Sequence, residues 1–313
     1  MKDFFKDRKA PQRANYGFIK DTARQVDCAT CLDNRYVTFP HQDYAQAKRC
    51  QDCLDYCPEC SGEGFHFVQK PNGYRYAKEC EACRNVDHRI AVFNKARLPA
   101  RYHDRSFDNF RPHENFDPTR PYGNLPDITS YAMNRAREFY EENEKGILFV
   151  GDVGTGKTHL LVAIIRHLTL EKGINARFIE FTHLLSQLRA AYDRKANASD
   201  LIKGITEVPV LAIDELGKGR NNDWQISVID ELISKRYNRS LTTFCTTNYP
   251  LHSHEHLMKP VDTENAAFRN SIESRSLTDR IGSRIVSRLC EMMDLAELKG
   301  VSDYRKRDFK TVR

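Results

Sequence analysis

Long apolar runs are missing from this 313-residue chain. None approaches the roughly 20 consecutive apolar residues that cross a bilayer as a helix. The longest patches, ILFV at 147–150 and LLVAII at 160–165, suit a buried strand and one face of a helix. The first residues, MKDFFKDRKAPQR, carry charges but no apolar h-region, so no secretory signal is expected there. The expected location is therefore the cytoplasm, where thiols stay reduced. A strong charge imbalance is missing too. The net charge of +6 is compatible with a nucleic-acid partner but does not single one out. Hydrophobic content is an ordinary 40%, and the length leaves room for two domains with a proper core.

Cysteine is not scarce. Eight of the ten cysteines stand in four CxxC pairs: Cys28/Cys31, Cys50/Cys53, Cys57/Cys60 and Cys80/Cys83. Eighteen residues separate Cys31 from Cys50, and nineteen separate Cys60 from Cys80. Each half fits the spacing of a zinc site. In a reducing compartment such clusters point to metal rather than disulfides. Two tetrahedral four-cysteine sites would use all eight thiolates and leave no open position, which makes them structural. Sequential pairing along the chain is expected. A nested or cross-braced arrangement stays open, because only three residues separate Cys53 from Cys57. Each stretch between pairs can fold as a hairpin, and GFHFVQKPNGYRYAKE has Pro-Asn-Gly at its turn. His41, His66 and His88 are spare ligand candidates. Cys245 and Cys290 are expected to be ordinary buried residues. So small a module cannot bury enough core alone, and zinc is expected to supply its folding energy.

Four regions follow from texture: a charged segment at 1–27, the cysteine module with an amphipathic helix at 28–97, a proline-rich linker at 98–129, and a larger α/β domain at 130–313. The linker holds five prolines between 99 and 126 and alternates aromatics with charges. A helix is expected from Ser130 to Glu144, stopped by Gly146. Strands are expected at 147–150, 176–181, 208–213 and 241–247. Helices are expected at 158–172, after Thr182 as cap, after Ser199 as cap, and at 223–240. Continuous apolar strands alternating with helices predict an α/β fold with a parallel sheet covered on both faces.

The middle of the chain carries the chemistry. Gly151-Asp152-Val153-Gly154-Thr155-Gly156-Lys157-Thr158 matches GxxxxGK[ST] between a strand and a helix. The glycines let successive N–H groups turn toward phosphate oxygens, and the helix N-terminus, with His159 in its first turn, adds positive potential. Lys157 is expected to reach the β- and γ-phosphates and Thr158 to serve magnesium. The apolar run VPVLAI then ends in Asp214-Glu215. Asp214 is the second candidate for magnesium, and Glu215 the candidate for polarising the attacking water. Asn248 ends the next strand as a polar sensor.

In this order the motifs resemble AAA+ ATPases. The wording of GILFVGDVGTGKTHLLVAIIRHL, VLAIDELGKGRNNDWQISVIDELISKRYN, TTFCTTNYPL and LTDRIGSRIVSRLCEM resembles one branch, the DnaC/DnaI helicase loaders and IstB transposition ATPases. The likeness covers about residues 98–307. It implies an AAA+ P-loop ATPase domain beside a small zinc domain. It also implies an arginine finger on the helix around 281–289, with Arg288 the first choice and Arg284 the second. Arg305 would be the second sensor. A helical insert at about 182–206, with Arg189, Arg194, Lys195 and Lys203, would help hold single-stranded DNA. The implied partners are a replicative helicase docked by the zinc module, single-stranded DNA, and further copies of the chain assembled by ATP. The implied activity is ATP-driven helicase loading. The alternatives are a transposition ATPase acting with a transposase, and a zinc-ribbon DNA-binding adaptor that uses nucleotide as a switch.

Overall fold

The computed structural model describes residues 28–53, 60, 65–69, 73–110, 125–137, 139, 145–193, 198–219, 222–251, 276–298 and 303–306. The first cysteine stretch folds as an antiparallel hairpin, β1 (Tyr36–His41) with β2 (Tyr44–Arg49). The second folds as β3 (Phe65–Gln69) with β4 (Arg75–Glu79), also antiparallel. Helix α1 (Glu81–Ala96) follows, stopped at Arg97 in the left-handed conformation. Helix α2 spans Leu125–Arg137.

The C-terminal half is a five-stranded parallel sheet. Its strands are β5 (Gly146–Gly151), β6 (Ala176–Glu180), β7 (Val210–Asp214), β8 (Thr242–Thr247) and β9 (Met293–Leu298). Their order across the sheet is β6-β7-β8-β5-β9. Strand β8 thus lies between β5, which leads into the Gly151–Thr158 loop, and β7, which ends in Asp214. Helices α3 (Lys157–Arg166), α4 (Phe181–Asp193), α5 (Ala198–Thr206), α6 (Asp223–Asn238), α7 (Leu277–Ile281) and α8 (Ser283–Met292) cover it. None of the described helices is long and apolar enough to cross a membrane.

Strand periodicity splits the core in two. Ile147 and Phe149 of β5, with Val210 and Ala212 of β7, face one cluster built on α3. Leu148, Val150, Leu211 and Ile213 face the other, under α4, α6 and α8. The first cluster does not stop at the ATPase. Tyr36, Ala45 and Ala47 of the first hairpin, and Phe93, Ala96 and Leu98 after them, belong to it. The first cysteine hairpin and the ATPase therefore share one core. Polar contacts reinforce the seam. Tyr36 donates its hydroxyl to Glu171 at 2.5 Å, His88 Nε2 meets the Gly173 carbonyl at 2.9 Å, and Arg166 donates to the Thr38 hydroxyl. Helix α3 continues beyond Arg166 as a π-helical turn, His167–Glu171, which packs against α1.

Several sequence expectations need correction. The helix before the sheet starts at Leu125 rather than Ser130. Gly146 is a strand residue and not a helix stop, because a Cβ there would lie 1.7 Å from the Thr243 carbonyl oxygen. Thr182 lies inside α4, where its hydroxyl donates to the Glu180 side chain, so it is no cap. Ser199 likewise lies within α5. Cys245 is buried as expected, whereas Cys290 is exposed, since α8 turns that position away from the apolar stripe formed by Ile285, Val286 and Leu289.

Candidate nucleotide-binding site

The loop from Gly151 to Lys157 leaves β5 and enters α3. Two of its glycines have no substitute. Gly154 has φ +81° and its Cβ would strike the Asp303 carboxylate, while Gly156 has φ +96° and its Cβ would strike the Phe110 ring. Inside the loop Lys157 donates to the carbonyls of Gly151 at 2.8 Å and Asp152 at 2.6 Å. Burial lowers its ammonium pKa to about 8, although Asp214 and Asp152 act in the opposite direction. An ammonium held in this way is primed to gain an anion.

Thr158 donates to the Asp214 carboxylate at 3.0 and 3.1 Å. Thr246 of β8 donates to the same carboxylate at 2.6 Å. Burial raises the Asp214 pKa, and the two hydroxyls counter it. A hydroxyl and a carboxylate this close form an all-oxygen donor pair of the kind magnesium takes. Glu215 follows in the left-handed region, φ 57°, a conformation that a non-glycine residue holds at a cost. Its N–H donates to the Thr246 hydroxyl at 2.9 Å, so β8 fixes the turn that aims it. Its carboxylate pairs with Lys218.

These groups open on one pocket of about 350 Å³. Lys157, Thr158, Glu215, Thr246, Asn248 and Arg305 all line it. Arg305 reaches it because Tyr304 N–H donates to the Gly154 carbonyl at 3.1 Å, which anchors the C-terminal 3-10 turn, Tyr304–Lys306, on the loop. His159 lines the wall as well. Its Nε2 meets the Ser106 carbonyl at 2.8 Å and Phe110 packs edge-on against its ring. Sequence reading missed the opposite wall, formed by Arg101, Tyr102, Arg105, Asn109 and Phe110. These residues lie in the stretch read as linker, and their density of aromatics and cations was the available signal.

The arginines separate. Arg288 is tied within its own chain, donating to Asp230 at 2.9 Å and to Ser234, over the Tyr237 ring. Arg284 is exposed on the same helix. On the insert, Arg189 is exposed and stacks over Trp224 at 5.2 Å, and Lys203 is exposed on α5. Arg194 and Lys195 lie outside the described residues.

A second cluster stands at the base of the first hairpin. The sulfurs of Cys28, Cys31 and Cys50 lie within 4.8 Å of one another. Ligands at the zinc–sulfur distance on a tetrahedron stand about 3.8 Å apart, and Cys28 and Cys50 are separated by 3.8 Å. Cys53 ends the 3-10 turn that follows. Cys60 and Cys80 are both buried at the base of the second hairpin. Cys57, and the side chains of Cys53 and Cys83, lie outside the described residues.

Residues 127–268 match the family model of the IstB-like ATP binding protein. The Escherichia coli K12 replicative helicase loader DnaC is 24% identical over 192 residues, which cover 60% of this chain and 73% of DnaC. The uncharacterized protein YqaM of Bacillus subtilis is 31% identical over 124 residues, 36% of this chain and 39% of YqaM. The chain thus spans about two-fifths of one relative and about three-quarters of the other. A crystal structure of the DnaC helicase loader superposes with a TM-score of 0.49 at 29% identity, covering 64% of this chain and 99% of that one.

Proposed function

From an IstB-like ATP-binding domain at its centre, we propose that this chain is an ATP-driven loader of a replicative helicase onto single-stranded DNA. The observation that carries the reading is the convergence of Lys157, Thr158, Glu215, Asn248 and Arg305 on one pocket. It stands beside the similarity to DnaC, whose name is replicative helicase loader.

Magnesium-ATP, when bound, supplies the phosphoanhydride bond and the cation that offsets its charge. Thr158 and Asp214 are the residues to hold the magnesium. Lys157 exchanges loop carbonyls for phosphate oxygens, which are better partners for an ammonium. Glu215 accepts a proton from the attacking water, and Asn248 orients that water. Arg305 meets the nucleotide in cis. An arginine from a neighbouring copy completes the site. Arg284, exposed, is better placed for that than Arg288, which Asp230 already engages. Gly151 to Thr158, with His159 behind them, form the cradle.

Zinc belongs to the same reading. Cys28, Cys31, Cys50 and Cys53 hold one ion, and Cys57, Cys60, Cys80 and Cys83 the second, in sequential pairs. The ions are structural and close the bases of the two hairpins. The helicase-docking part lies within the cysteine module. Arg189 and Lys203, together with Arg194 and Lys195, offer charge to single-stranded DNA.

Co-purification tests this directly. The full chain should retain the hexameric replicative helicase of its own host in ATP. Retention of a transposase in place of the helicase would move the chain to the transposition branch.

A further inference from the structure

The two cysteine hairpins share a spacing but not a fate. In the first, Tyr36, Ala45 and Ala47 are buried in the ATPase core. In the second, Phe65 is 37% exposed, Phe67 67%, Tyr74 62% and Tyr76 36%. Among the described residues, β3 and β4 have each other but no further element packed substantially on them. Two rings mostly in solvent, Phe67 and Tyr74, beside two that are about a third exposed, are a costly arrangement for a purely structural element.

Register divides the rings between two faces. Phe67 stands opposite Ala77, and Val68 opposite Tyr76. Phe65 and Phe67 share one face with Arg75, their ring centroids 5.4 Å apart and edge-on. Tyr74, Tyr76 and Lys78 share the other face. Residues two apart on a strand are about 6.7 Å apart, so each face presents rings in a row with a cation at hand. Arg75 and Lys78 are both exposed.

We propose that the β3–β4 hairpin binds single-stranded DNA on both faces, stacking unpaired bases on Phe67 of one face and on Tyr74 and Tyr76 of the other, with Arg75 on the first face and Lys78 on the second meeting phosphates. The proposal deepens the loader reading and rests on it for the choice of DNA. Unpaired bases offer faces to aromatic rings, which duplex DNA does not, and phosphates complement the two cations. None of these residues lines the nucleotide pocket.

The test uses the zinc-loaded full chain and a fluorescein-labelled oligothymidylate, read by anisotropy. Phe67→Ala, Tyr74→Ala and Tyr76→Ala should each weaken binding, roughly five- to hundred-fold per ring. Their basal ATPase and melting temperature should match the parent chain. The pair Arg75→Gln with Lys78→Gln should flatten the slope of log affinity against log salt by about 1.4. This second readout keeps the test decisive if a ring variant misfolds. Unchanged affinity in the triple ring variant together with an unchanged salt slope would overturn the proposal. Loss of helicase retention with DNA affinity intact would also overturn it, in favour of a protein-docking arm. If the parent chain retains no helicase while the ring variants still lose DNA, the loader reading fails and the stacking site stands.

Discussion

The ammonium of Lys218 lies 2.5 Å from the carboxylate of Glu215. It occupies the group proposed to take the proton from water. The pair is half open to solvent, with Lys218 51% and Glu215 29% exposed, so it is a modest restraint. Removing it by Lys218→Met should free Glu215 and raise basal ATPase by up to about five-fold, the reach of an exposed pair. Glu215→Gln should retain ATP and cut turnover by roughly 10²–10⁴-fold, as loss of a general base does. Steady-state phosphate release with a parallel nucleotide-binding titration checks both. Turnover unchanged in Glu215→Gln would remove that residue from the mechanism.

Lys157 sets a pH signature. Its folded pKa of about 8 lies below the ordinary 10.5, chiefly through burial. Below about pH 8 both folded and unfolded chains hold the proton, and burying the charge costs stability in full. Between about 8 and 10.5 the unfolded chain binds more protons, so this group's contribution makes stability rise with pH. Nucleotide acts with the opposite sign. Phosphate favours the ammonium, so ATP binding should take up a proton near pH 8 and weaken as pH rises above it. Calorimetry in two buffers of different ionisation enthalpy reads the uptake. Lys157→Arg, which stays charged, should abolish the uptake if it still binds.

The shared core makes a prediction about metal. Tyr36, Ala45 and Ala47 belong to the same buried cluster as Phe149 and Leu160, so loosening the first hairpin loosens that core. Metal analysis should return about two zinc per chain, and about one in Cys50→Ser. Cys50→Ser should lower the melting temperature of the whole chain in one transition and impair ATPase. Cys80→Ser should leave the ATPase transition closer to that of the parent, apart from what α1 loses at its first turn. Separate melting of an unperturbed ATPase in Cys50→Ser would refute the coupling.

Arg284 and Arg288 should part in mixing experiments. Arg284→Ala should lose turnover by roughly 10³-fold, the order of an arginine finger, and regain part of it when mixed with Glu215→Gln, since each mutant supplies what its neighbour lacks. Arg288→Ala should lose stability first, because Asp230 and Ser234 lose their partner. Rescue of Arg288→Ala but not of Arg284→Ala would reverse the assignment.

The phosphate loop was legible because its chemistry is contiguous. Eight adjacent residues between a buried strand and a helix carry the geometry with them, and Asp214-Glu215 and Asn248 end apolar strands in the same way. The wall formed by Arg101, Tyr102 and Phe110 was not legible, because proline-rich stretches have no period to show which face they turn inward. Helix starts slipped at Thr182 and Ser199 for a related reason, since a cap preference is worth only about 1 kcal/mol and packing of the helix outweighs it.

By itself the sequence determined a parallel α/β core, a GxxxxGK[ST] loop between strand and helix, and a module of four CxxC pairs, because periodicity and spacing are local properties of the chain. Tertiary structure alone decided what those pieces do to one another. It set β8 between β5 and β7, so that Thr246 grips Asp214 and aims Glu215. It paired Arg288 with Asp230 across 58 positions. It also sent two similar hairpins to different fates, one into the ATPase core and one into solvent. Burial is settled by what lies opposite in space, and nothing in the cysteine spacing encodes that.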